Sequence, residues 1–185
     1  MIRLRRAGAG TDSGGGRIVW SVAEGGRGRR WREVRTSPSG AVRSSLLLET
    51  DPDGRFLHTE ISTAAGLLTL HPEPDGTLHG NVVDRAGVHH VAGLPWARDG
   101  VVLLEGSPIS LAGAATLLAA AIEPGAVVAR AGVVVGLDLA LRREGFRVER
   151  IGAATWRLDD GGHVDLDDRG LPRLGGGADW PLEVE

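Results

Sequence analysis

The sequence predicts a mainly β protein: a strongly curved antiparallel sheet, half-barrel or β-roll, with one buried helix near residues 110–122. Three observations lead there. Acid-plus-glycine phrases recur between apolar runs, at Asp53-Gly54, Asp75-Gly76, Asp84–Gly87, Asp99-Gly100, Asp160-Gly161 and Asp168–Gly170. Aspartate and glycine tolerate the positive φ of tight hairpin turns. Between these phrases, polar and apolar residues alternate at period two, the mark of strands with one buried face. A single Ala/Leu-rich run, Ser110–Ile122, breaks that alternation.

In chain order the alternation gives ten to twelve strands, near 17–23, 29–36, 42–50, 55–62, 66–71, 76–83, 88–93, 100–105, 126–142, 145–151, 153–159 and 162–166. Residues before 17 read as a short basic strand or tail followed by a polar loop at Gly10–Gly16. In the fourth strand Leu57, Thr59 and Ile61 are expected on one face, with Phe56, His58 and Glu60 on the other. In the sixth, Leu78, Gly80 and Val82 oppose Thr77, His79 and Asn81. Val133 to Leu141 alternates without a break and reads as one long strand. Ser110–Ile122 has a serine cap, a Pro-Gly stop and apolar residues almost all round, so it reads as a helix buried on most sides. Glycine runs are followed at once by new strands, so the reading is one domain over residues 1–185.

Composition narrows the chemistry. The chain holds 29 glycines, no Cys and 21 basic residues, every one of them Arg. Without Lys there is no P-loop lysine or Schiff base, and without Cys no disulfide, thiol nucleophile or zinc knuckle. The glycine runs match neither phosphate-binding fingerprint, and the Gly-x-Ser-x-Gly elbow is absent. Asp165–Gly170 lacks the ligand spacing of a calcium loop, with Arg169 at a ligand position. The N-terminus is basic, but no apolar export segment follows it; the longest uncharged stretch, Gly106–Ile122, is at the lower edge of a membrane span and full of Gly and Ala, so the reading is cytoplasmic with no membrane span.

Charge is uneven: residues 1–43 sum to +7 and residues 44–185 to −10. The basic peak, Arg27–Arg35, sets Arg30 and Arg32 beside Trp31. Guanidinium groups next to an indole suit a phosphate or an amphipathic head group. An overall pI near 6.1 argues against nucleic acid. Pairing of the basic edge with the acidic remainder, within one chain or across a homodimer, is the other reading.

Five of the six histidines fall between His58 and His90. A tight hairpin at 63–66 would set His58 opposite His71, and a three- to five-residue loop through 72–75 would set His71 opposite His79, with Glu60, Thr69 and Asn81 alongside. His89 or His90 could join from the next strand. Three readings of this face stand. It could hold Zn²⁺ or Fe²⁺ through His58, His71, His79 and His89, or do acid–base work. It could be the polar spot of a ligand cavity. It could be a wet sheet face in ordinary hydrogen bonds. Of the five tryptophans most belong in a core by size. Trp31 and Trp96 sit where a ring would line a cavity mouth.

The phrases Arg55–Gly66 and Asp75–Gly80, with the later Val148–Gly152, Trp156-Arg157-Leu158 and Val164–Leu171, resemble a bacterial glycolipid-binding family. The resemblance implies a bent antiparallel sheet around an apolar interior, similar in outline to lipoprotein carriers. Leu78 stands where that family commonly has a tryptophan, and the histidines and the helix lie outside the likeness. No catalytic residues come with it.

The expectation is therefore a non-enzymatic protein that binds an apolar or amphipathic, lipid- or glycolipid-like molecule in a curved sheet, with no cofactor. Arg30, Trp31, Arg32, His58, Glu60, His71, His79, Asn81 and Trp96 are its candidate binding residues. A metal-dependent or acid–base enzyme using His58, His71 and His79, and a homodimeric interaction module, are the alternatives.

Overall fold

The computed structural model describes residues 2–119, 123–158, 162–167, 171–173 and 179–181. In chain order the strands are β1 (Ile2–Thr11), β2 (Arg17–Gly25), β3 (Gly28–Thr36), β4 (Val42–Thr50), β5 (Phe56–Thr63), β6 (Gly66–Pro72), β7 (Thr77–Asp84), β8 (Gly87–Pro95) and β9 (Val101–Leu104). Helix α1 (Pro108–Ala119) follows, then β10 (Val127–Val135), β11 (Leu141–Arg150), β12 (Thr155–Leu158), β13 (Gly162–Leu166), β14 (Pro172–Arg173) and β15 (Asp179–Pro181).

The expected mainly antiparallel β architecture is what the structure shows, arranged as two sheets. β1 to β8 form a meander in which each strand pairs with the next, and β15 adds to its β1 edge. The second sheet, in the order β14-β13-β12-β11-β10-β9, is curled. Its β9–β10 pair is parallel, with α1 in the crossover between them.

Alternation decides what is buried. On β3, Trp31, Glu33 and Arg35 point inward while Arg30, Arg32 and Val34 point out. Row by row across the meander, Trp20, Glu33, Leu46, Ile61 and Leu68 face one another on the inner side, beside a row of Val22, Trp31, Leu48, Thr59 and Leu70. Against this face lies α1, which also packs on β9 and β13. The helix comes close at Gly113, where a Cβ would stand 2.6 Å from Leu48 Cδ2. The interior of the curve is thus filled by a helix and by Trp20, Trp31, Phe146 and Trp156, all of them buried. What remains on the concave side includes a small cleft lined by Leu48, Thr50 and Phe56 of the meander and by Gly113, Ala114 and Leu117 of the helix.

Three details depart from expectation. A register shift between Glu49 and Thr50 lets Leu57 bulge outward, so Phe56 is buried and Leu57 exposed, the reverse of simple alternation. The long strand expected at 126–142 is broken at Gly136–Ala140 by a turn in which Leu139 adopts φ +64°. An unbroken apolar alternation hides such a turn, because Leu139 is buried even though its backbone is left-handed. The helix starts at Pro108 rather than Ser110, and its cap is Ser107, whose Oγ accepts the Ser110 N–H at 3.0 Å. Proline at the first helical position is favourable because it has no N–H to leave unpaired. Residues 120–122 of the expected helix lie outside the described residues, as do the turn phrases at 160–161 and 168–170.

Candidate functional site

The histidine face is on the outer, solvent side of the meander. His71 pairs directly with His79, and the β5–β6 ladder ends at Thr59–Leu70, one step short of setting His58 opposite His71. Glu60, Thr69, Asn81 and His90 form the adjacent cross-strand row. His71, His79, Asn81 and His90 thus share the outer face, whereas His89, opposite the inward Val82, lies on the other face, and four of the five imidazoles are engaged locally. His58 Nε2 lies 3.2 Å from Glu60, His71 Nε2 3.0 Å from Glu73, His89 Nε2 3.1 Å from Asp84, and His90 Nδ1 2.7 Å from Asn81. Among the described residues no three His, Asp or Glu side chains converge as a metal-ligand set.

The basic peak is divided by the sheet. Arg30 is 55 % exposed and paired with Glu49, and Arg32 is exposed, whereas Trp31 is wholly buried beneath them with Arg29 over its ring at 5.7 Å. Arg30, Trp31 and Arg32 therefore do not share one surface. Trp96 is half-buried, its ring edge-on to Phe56 at 5.4 Å.

The polar chemistry of the interior lies instead where β3 meets the start of α1. Strand parity carries Glu33 inward with Trp31, and its side chain reaches the helix N-terminus. Glu33 Oε2 accepts the Ser107 hydroxyl at 3.0 Å and the Ile109 N–H at 3.2 Å. A carboxylate there answers the unpaired N–H groups and the positive end of the helix dipole. Burial pushes the Glu33 carboxyl up to about 7, against the opposing pull of the Ile109 N–H, the Ser107 hydroxyl and the Arg35 charge. Near neutral pH this carboxyl gains and loses its proton readily.

Two positions along β3, Arg35 is buried as well. Its Nη1 donates to the Glu105 carbonyl at 2.9 Å, and its Nη2 stands 3.8 Å from Asp12 Oδ2. Gly106, at φ +68°, covers the guanidinium: a Cβ there would lie 3.0 Å from Nη2. Three buried atoms of this patch have no protein partner, namely Glu33 Oε1, Arg35 Nε and Ser44 Oγ, and Ser44 lies directly across from Arg35.

On the other side of the Glu105–Ser107 turn opens a cleft of about 370 Å³. Leu103, Leu111, Val134 and Phe146 give it apolar walls, while Ser107 and Glu144 are polar points on its lining. A second cleft of about 260 Å³, lined by Trp96 and Arg143, shares Glu144 with the first. Of the residues expected from sequence to bind a ligand, Trp96 alone lines either cleft. Glu33 and Arg35 of the buried patch, and Ser107, Leu111, Phe146 and Glu144 of the first cleft, were not among the residues expected from sequence. One signal for the first two was present: once Trp31 is assigned to the core, alternation puts Glu33 and Arg35 inside with it.

No family model and no curated protein matches the chain. A search of solved structures finds the crystal structure of a DUF1089 family protein from Pseudomonas aeruginosa, superposable with a TM-score of 0.50 at 14 % identity. The match covers 94 % of this chain and 90 % of that one. At this identity the likeness concerns the fold alone. No helix among the described residues is long and apolar enough to cross a membrane.

Proposed function

We propose that the protein binds one amphipathic small molecule, lipid- or glycolipid-like in character, with its apolar part in the cleft between β9, α1 and β11. The observation that supports this reading best is the pairing of that cleft with a buried polar patch behind its floor. A cleft of about 370 Å³ falls within the ~300–1,000 Å³ usual for small-molecule sites, and its few polar groups against apolar walls fit the same class. The apolar walls supply the affinity, about 2.5 kcal/mol for each 100 Å² of apolar surface removed from water. The Ser107 hydroxyl, which donates to Glu33 and accepts from Ser110, keeps one lone pair to accept from a ligand hydroxyl, and the Glu144 carboxylate is a second acceptor on the lining. The helix N–H groups there are already met by Glu33 and Ser107, so a neutral hydroxylated head suits the site better than an anionic one.

Dodecyl maltoside, titrated calorimetrically below its micelle concentration, is a suitable probe. Saturable one-to-one binding with a negative heat-capacity change is expected. Leu111→Trp, which fills the cleft, abolishes binding, while His58→Ala on the outer face leaves it unchanged. Absence of saturable binding, or full binding by a folded Leu111→Trp variant, refutes the assignment.

A further inference from the structure

The two sheets have four edges, and they are not equally protected. β15, β14 and β9 are three, two and four residues long, and the first two contain proline. β8 is different: nine residues, Gly-Val-His-His-Val-Ala-Gly-Leu-Pro, without a Lys, Arg, Asp or Glu. An edge strand presents a row of unpaired N–H and C=O groups, which proteins usually guard with charge, proline, a bulge or shortness. β8 has such guards only at its far end. There Gly93 sits at φ +71°, the β7 register shifts, and Pro95 ends the strand.

From Gly87 to Val91 the edge is regular, and its side chains bury little. Val88 is 60 % exposed, and His89 and His90 are exposed and held by Asp84 and Asn81. Val88 also prolongs an exposed apolar row formed with Val83 and Leu67 on the outer face. Within this segment only Val91 packs against the core, so the strand is held chiefly by its pairing with β7, and among the described residues no strand pairs with its other edge.

We propose that Gly87–Val91 is a homodimer interface, in which β8 of two copies pairs antiparallel about a two-fold axis. The occupant follows from the edge itself. Only another strand satisfies it, and a two-fold axis supplies the same strand running antiparallel. With no formal charge along the segment, two copies meet without like-charge repulsion, whereas a strongly acidic or basic partner strand finds no complement. Pairing would join the two meanders into one continuous sheet and bring the exposed Val88–Val83–Leu67 rows of both copies onto one face.

The absence of cysteine makes the test direct. Light scattering across a concentration series should give a mass approaching twice the 19.4 kDa of one chain. Single-cysteine variants Val88→Cys, His89→Cys and His90→Cys should differ sharply on mild oxidation. Only the residue or adjacent pair at the axis faces its own copy within the ~4.4–6.8 Å Cα span of a disulfide. Val19→Cys, exposed on β2 of the same face, should stay uncrosslinked. The double variant Val88→Lys/His90→Lys should return the mass to a single chain, with circular dichroism showing that it is folded. If it does not fold, the cysteine series still decides. A single-chain mass at all concentrations overturns the proposal, as does a dimer that crosslinks at Val19 or at none of the three β8 positions.

Discussion

The buried carboxyl of Glu33 makes stability depend on pH in a direction opposite to that of most acids. Its ordinary value of 4.5 is raised to about 7 in the folded chain, chiefly because burial disfavours the charged form. Between these two values the folded chain holds a proton that the unfolded chain has released, so the slope of stability against pH is negative. The stabilisation tied to that proton is fully present below pH 4.5 and is lost as pH rises through 7. The gap corresponds to about 3 kcal/mol, a large part of the stability of a typical domain. Glu33→Gln keeps the shape and the oxygen that accepts from Ser107 and Ile109 while removing the titration. Any fixed cost of the new amide is the same at every pH and cancels in a comparison. Urea unfolding, followed by tryptophan fluorescence at pH 5 and pH 8, should show the variant gaining on the parent by about 2–3 kcal/mol across that interval. A difference between the two proteins that stays constant within about 0.5 kcal/mol would show that Glu33 does not titrate as its burial requires.

Leu139 reports on backbone strain. A left-handed conformation costs an L-residue about 1–2 kcal/mol, and glycine almost nothing. Leu139→Gly should therefore be no less stable than Leu139→Ala in urea, reversing the usual advantage of alanine over glycine; a clear advantage for alanine would mean that the turn is unstrained. The divided basic peak predicts a second contrast. Trp31→Ala should cost about 3–5 kcal/mol as a large core truncation, whereas Arg30→Ala and Arg32→Ala should each stay within about 1 kcal/mol. Equal losses in thermal unfolding would contradict the inward placement of Trp31.

Local chemistry made most of the fold legible. Asp-Gly phrases and period-two alternation place β2 to β8 within about two residues of their ends, because each hairpin is specified by its own turn and its own buried face. Where burial and backbone disagree, the pattern misleads. Leu139 is apolar and inward at a turn, and Leu57 sits in a bulge, so neither can be placed from hydrophobicity alone. β14 and β15, two and three residues long, are below the length at which alternation speaks. The site is less legible for a different reason. The histidines announce themselves by residue type, yet their face is the wet one. Glu33 and Arg35 look like members of a surface charge run until strand parity is followed inward. The cleft joins β9, α1 and β11, whose meeting depends on a parallel crossover that no local phrase encodes.

That crossover also orders events during synthesis. Pro108, where α1 begins, emerges only after all of β1 to β8. The meander can zip together hairpin by hairpin as it leaves the ribosome, since each pairing is between sequence neighbours. Its inner face, with Trp20, Trp31, Leu46 and Leu48, nevertheless has no cover until the helix arrives. At translation speeds of about 5–20 residues per second this leaves an apolar sheet exposed for seconds. The nascent chain is therefore most vulnerable to aggregation, and most dependent on chaperones, in the interval between completion of β4 and docking of α1.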